Sequence, residues 1–119
     1  MRNFKELKIW QKGFQIAVDS YKITGTFPSN ERFALVSQIN RAAVSIPSNI
    51  AEGSSRTSDK EYKHFIEISL GSCFELETQL LIAKHLKYGN LDILAEVLKQ
   101  LAEEEKMLTA FANTLKNSF

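Results

Sequence analysis

The chain has 119 residues, 44% of them hydrophobic, which is enough for about one domain with a real core and excludes global disorder. Fifteen basic side chains against 14 acidic leave a formal charge of +1, short of the basic excess of a strong nonspecific nucleic-acid binder. The balance shifts along the chain: residues 1–64 carry 10 basic and 6 acidic groups, whereas residues 65–119 carry 5 and 8.

Four helical segments are predicted in chain order, spanning about 4–24, 29–53, 58–87 and 90–116. In the first, Leu7, Trp10, Phe14, Ala17 and Tyr21 recur at spacings of three and four and make one apolar stripe. Gly25-Thr26-Phe27-Pro28 ends it. Ser29 or Asn30 is placed to cap the second helix, whose stripe is Val36, Ile39, Ala43, Ile46 and Ile50. Pro47 lies inside this pattern and removes the hydrogen bond to the Ala43 carbonyl. The stripe keeps its phase across the proline, so the helix is expected to continue with a bend near Ala43 rather than break at Ile46. Ser58-Asp59-Lys60-Glu61 opens the third helix as a capping box. Its stripe is Tyr62, Phe65, Ser69, Cys73, Leu76, Leu80 and Ala83. Asn90 can cap the fourth helix, where Leu91, Leu94, Leu98, Leu101, Glu105, Leu108, Ala112 and Leu115 form a seven-residue repeat with Glu105 in the seam. Trp10, Phe14, Tyr62 and Phe65 are expected in the core, while Phe4, Phe111 and Phe119 fall near helix ends. Four long helices with short loops imply an all-α fold, an antiparallel up-down-up-down bundle forming one domain over 1–119.

The chemistry-bearing residues are few. Gln38, Arg41, Ser45, Ser48 and Glu52 line one face of the second helix, with Asn49 beside them and Arg56 just beyond. The face reads as a half-buried network or subunit interface in preference to a ligand surface, with Arg41 pairing to Glu75, Glu77 or Glu105. Lys5, Lys8 and Lys12 share a face of the first helix and could meet phosphates, although an ordinary solvated face is the simpler reading. Glu61-x-x-His64 has the spacing of a di-iron bundle ligand pair, but the second such motif is missing: Leu81-Ile82-Ala83-Lys84 precede His85 without an acid. Glu103 and Glu104 read as solvated. No catalytic, cofactor or metal site is expected.

Cys73 is the single cysteine, so no intrachain disulfide forms, in keeping with a reducing cytoplasm. The first residues lack the apolar stretch of a signal peptide, and no apolar run approaches the roughly 20 residues of a membrane span. The chain is therefore expected to be cytoplasmic, without a membrane partner.

The run Gln38-Ile39-Asn40-Arg41-Ala42-Ala43-Val44-Ser45-Ile46-Pro47-Ser48-Asn49-Ile50-Ala51-Glu52-Gly53 resembles the signature of the 23S ribosomal RNA intervening-sequence proteins. Phe4 to Lys12, Phe27 to Leu35 and Gly71 to Leu80 resemble three further blocks of that family, in the same order. The resemblance implies a four-helix bundle without known enzymatic activity. It also implies kinship with the accessory proteins of diversity-generating retroelements, which are basic homopentamers that bind nucleic acid and a reverse transcriptase. Apolar residues exceed what one inward stripe needs. Phe33, Leu35, Val36, Ile39, Ala42, Ala43, Val44, Ile46 and Ile50 spread over the second helix, and Ile9, Ile16 and Val18 lie outside the stripe of the first. A cyclic homo-oligomer, best read as a pentamer, is expected, acting as a non-enzymatic scaffold. An accessory protein that binds RNA or an RNA–DNA hybrid is the alternative.

Overall fold

The computed structural model describes residues 3–115. A 3-10 turn, Phe4–Glu6, precedes helix α1, Lys8–Thr24. A second 3-10 turn, Ser29–Glu31, precedes α2, Leu35–Ser54. Helices α3, Asp59–His85, and α4, Leu91–Thr114, complete the chain. Each helix packs against its two neighbours in a closed cycle, α1 on α2, α2 on α3, α3 on α4 and α4 back on α1. The result is an antiparallel up-down-up-down four-helix bundle measuring 48 × 24 × 23 Å.

Two helix starts lie later than the sequence implies. The turn Ser29–Glu31 absorbs the expected opening of α2, and neither Ser29 nor Asn30 caps it; Ala34 precedes the helix without a side-chain bond. Likewise α1 begins at Lys8, four residues beyond Phe4. The other two caps form as the residue types dictate. Ser58 Oγ accepts from the Glu61 amide at 3.1 Å, and Asn90 Oδ1 accepts from the amides of Asp92 and Ile93 at 2.9 and 3.1 Å. Lys116 and Phe119, the expected end of the fourth helix and a terminal contact residue, lie outside the described residues.

Helix α2 runs unbroken through Pro47. Its inward face, Ile39, Ala43, Ile46 and Ile50, is fully buried, as its periodicity requires. Ser69 of α3 stitches the helices together here, donating from Oγ to the Ile46 carbonyl at 2.9 Å. Farther along, Gly53 lets α3 approach closely, since a Cβ there would meet Phe65 Cβ at 2.8 Å.

In α1 the stripe is wrong by about a quarter turn. The buried residues are Ile9, Gly13, Ile16, Ala17, Ser20 and Ile23, whereas Phe14 and Tyr21 face outward and Trp10 is half-buried. Ile9 and Ile16, read from sequence as surplus, are core. The stacked pair Trp10–Phe14, 5.2 Å between ring centroids, lies along the flank of the helix. In α4 the seam is Leu94, Val97, Leu101, Glu104, Leu108 and Ala112. Leu91 is exposed, and Leu98 and Glu105 are only half-buried.

Candidate functional site

The polar face of α2 does not act as one unit. Ser45 turns toward α3, its Oγ 2.6 Å from Ser72 Oγ and 2.8 Å from the Ala42 carbonyl. Asn49 donates to the Ser45 carbonyl at 2.7 Å. Ser45 thus belongs to the α2–α3 seam, and Asn49 is bonded back within α2. Glu52 instead pairs with Arg56 at 3.3 Å, one turn farther along, and the Arg56 guanidinium also lies 4.6 Å from the Phe65 ring. Gln38 and Ser48 are exposed.

Arg41 departs furthest from expectation. It is exposed and makes no ion pair among the described residues. None of Glu75, Glu77 and Glu105 reaches it. Glu75 is exposed, and its Oε2 accepts from Gln79 at 3.5 Å; Glu77 is engaged with Glu105 across the α3–α4 seam. The reason is angular: Ile39, Ala43 and Ile46 take the inward direction, and Arg41 lies nearly opposite on a helix of 3.6 residues per turn.

Arg41 instead borders a shallow basin of about 590 Å³ on the outer side of the α1–α2 pair, with Tyr21, Arg32, Phe33, Val36, Asn40 and Val44 around it. Phe33 is 89% exposed, Tyr21 53%, Phe14 46% and Val44 41%. The Arg32 guanidinium lies 5.4 Å from the Phe33 ring. Thr24 Oγ1 donates to Asn40 Oδ1 at 3.0 Å and fixes the floor where the two helices meet. The basin thus combines two arginines with two uncovered aromatic rings.

Of the three lysines, Lys5 sits in the first 3-10 turn and so does not share the α1 face with Lys8 and Lys12. Lys12 is half-buried and bonded to Glu103 Oε1 at 2.9 Å. That leaves Lys8 exposed without the row that would have made a phosphate track. Glu61 serves the helix cap, and His64 packs edge-on to Phe65. Among the described residues no group of three or more His, Cys, Asp or Glu is placed to hold a metal ion.

The sequence model of the 23S rRNA-intervening sequence protein family matches residues 5–110. The chain belongs to that family. A crystal structure of a protein of unknown function from the S23 ribosomal protein family of Bacteroides thetaiotaomicron superposes with a TM-score of 0.78. The two are 22% identical over 87% of this chain and 97% of the other, a likeness that establishes the fold. Comparison with curated proteins returns no match.

Glu104, expected in water, is fully buried (0% exposed), and neither carboxyl oxygen has a hydrogen-bond partner among the described residues. Burial pushes its pKa up to about 8, against a small opposing pull from Lys12. Glu105 is pushed up to about 8 as well, by burial and by its hydrogen bond and charge repulsion with Glu77. Burial, and next the charge of Glu104, raise the Cys73 thiol, so this cysteine is an inert core residue. Leu94, Val97, Leu101 and Leu108 were the available signal, because spacings of three, four and seven put position 104 in the same seam.

Proposed function

We propose that the protein is a non-enzymatic scaffold subunit of the cytoplasm that associates with further copies of itself, best read as a closed ring of five. The observation that carries this reading is the uncovered apolar band across α1 and α2, where Phe14, Tyr21, Phe33 and Val44 face solvent. An exposed ring costs free energy in water, and aromatic and arginine side chains are enriched at the centres of protein interfaces. A second surface of matching character lies on α3. Phe74, Leu81, Ile82 and Leu86 are exposed there, and beyond Gly71 there is open space into which a neighbouring chain can pack. The first surface carries Arg32 and Arg41; along α3 the second has Glu67 and Glu75 exposed toward Phe74 and Lys84 exposed among Leu81, Ile82 and Leu86. Two different surfaces suit a heterologous contact, which closes into a ring when the rotation per subunit fits.

Light scattering at micromolar concentration is the test. A mass of five times 13.5 kDa is expected, and Tyr21→Asp with Phe33→Asp should bring it down to 13.5 kDa with helicity unchanged. A wild-type mass of 13.5 kDa would remove the reading.

One observation favours a second reading, RNA binding by the same basin. Arg32 and Arg41 beside Phe33 and Tyr21 supply both phosphate partners and stacking platforms for unpaired bases. Titration with structured RNA at two salt concentrations separates the two. Tight binding that weakens steeply with salt, and that Arg41→Gln reduces, would put RNA first.

A further inference from the structure

Glu104 sits where α1, α2 and α4 meet, and the space it fills is made for it. Gly13 of α1 supplies a notch: a Cβ there would lie 3.0 Å from Glu104 Oε2 and 3.1 Å from Ile46 Cγ2. The same notch is bounded by the nitrogen of Pro47, 3.5 Å from that Cβ position, and a proline nitrogen offers no proton. The groups that α2 brings to this notch are therefore Ile46 and Pro47, and neither offers a proton. From α3 the titratable group that meets its charge is Cys73, which is no cation, while Glu77 is engaged with Glu105. On α4 itself Glu103 and Glu105 flank it. Among the described residues the one cation acting on it is Lys12 of α1, the residue beside Gly13, and Lys12 is held at the rim by Glu103 at 2.9 Å.

A neutral carboxyl tolerates such a place at the cost of its missing hydrogen bonds. An unpaired anion does not, because the charge loses its hydration and gains nothing in return. We propose that Glu104 is a proton-controlled latch: protonated, it closes the layer between α1, α2 and α4, and deprotonated it leaves that layer for Lys12, displaces Glu103 and parts α1 from α4. The step is a simple acid dissociation, with the proton passing to water and the carboxylate exchanging a buried site for the ammonium at the rim. Its pH range follows from burial, which places the change in mild alkali.

Amide hydrogen exchange on wild type and Glu104→Gln, compared at the same pH, tests the latch. At pH 5 the two should be protected within about fivefold of one another in α1 and α4. At pH 8.5 wild type should lose protection there by on the order of a hundredfold or more relative to the variant, as the shift from 4.5 to about 8 requires. Two rim variants test the same step with the acid in place. Lys12→Gln removes the destination and should raise the midpoint of the pH transition; Glu103→Gln frees Lys12 and should lower it. Equal protection of wild type and Glu104→Gln at pH 8.5 overturns the proposal. So does a loss spread evenly over all four helices, or a midpoint that neither rim variant moves.

Discussion

The outer band of α1–α2 and the inner layer at Glu104 are opposite violations of the same rule. In the first, rings that belong in a core stand in water. In the second, a charge that belongs in water stands in a core. Both raise the free energy of a lone chain, but different things relieve them. The outer band needs another molecule, because nothing within the described fold covers Phe33 or Tyr21. The inner layer needs only a proton. The first cost therefore depends on protein concentration and the second on pH, and each can be changed without touching the other.

The largest expected effect comes from the inner layer. An acid whose folded pKa lies above its unfolded value binds its proton more tightly when folded. Stability is then fullest below the unfolded value of 4.5 and is lost as pH rises toward about 8. Replacing Glu104 by Gln should accordingly stabilise the protein by about 3 kcal/mol at pH 7 and by only about 1 kcal/mol at pH 5. Chemical denaturation at the two pH values checks this, and a gain independent of pH would mean that the cost is not one of charge. Glu104→Met should add a further gain at both values, because it also removes a polar group without a partner.

Gly13→Val acts on the same layer from the other side. The notch has no room for a branched side chain, with Ile46 and Glu104 already at 3.0–3.1 Å from a single added carbon. Overpacking should cost about 2 kcal/mol despite the better helix propensity of valine over glycine. In the Glu104→Ala background the cost should shrink, since the cavity left by the acid accepts the new methyls. Undiminished destabilisation in that background would place the strain at Ile46 instead.

The frame of the bundle was legible in the sequence because helix starts, stops and periodicities are local. Ser58 and Asn90 cap helices for reasons visible within four residues, and the inward phase of α2 follows from isoleucine spacing alone. The phase of α1 was not legible and that of α4 only in part, since Leu94, Leu101, Leu108 and Ala112 of its expected seam are buried while Leu91 is exposed and Leu98 and Glu105 are half-buried. Each carries two apolar stripes of nearly equal quality, Trp10-Phe14-Tyr21 beside Ile9-Ile16-Ile23, and Leu91-Leu98-Leu115 beside Leu94-Val97-Leu101. Local pattern cannot choose between them; packing against three other helices does. The choice of stripe in α4 decides whether Glu105 or Glu104 is in the core. Arg41 followed a different error, in which a charge at helical spacing was assigned a buried partner although the isoleucines of α2 had already taken the inward direction.

Asn90 opens α4 nearly four turns before Glu104, at the end of the bundle where its own amide meets Thr26 Oγ1 at 2.9 Å, and calibrates the inner layer. Asn90→Ala removes the acceptor of two amide bonds and should cost about 1 kcal/mol. That loss should be the same at pH 5 and pH 7 and at any protein concentration. A dependence on either would mean that the end of α4 is coupled to the latch or to assembly, and the separation of the two regions would need revision.

Arg41 is expected to give the smallest change in stability and the sharpest discrimination. It is exposed and has no ion-pair partner among the described residues, so Arg41→Gln should alter the unfolding free energy by no more than about 0.5 kcal/mol. Its position on the basin rim beside Tyr21 and Phe33 gives it an effect only where a second molecule is present. If the basin meets another copy of the chain, the variant should weaken association in sedimentation or light scattering, and the loss should diminish as salt rises, because a rim charge contributes mainly through screened attraction. A loss of more than about 1 kcal/mol in dilute monomer would show instead that Arg41 supports the α1–α2 contact itself. The outer band would then be part of the fold's own packing, and its contrast with the Glu104 layer would fail.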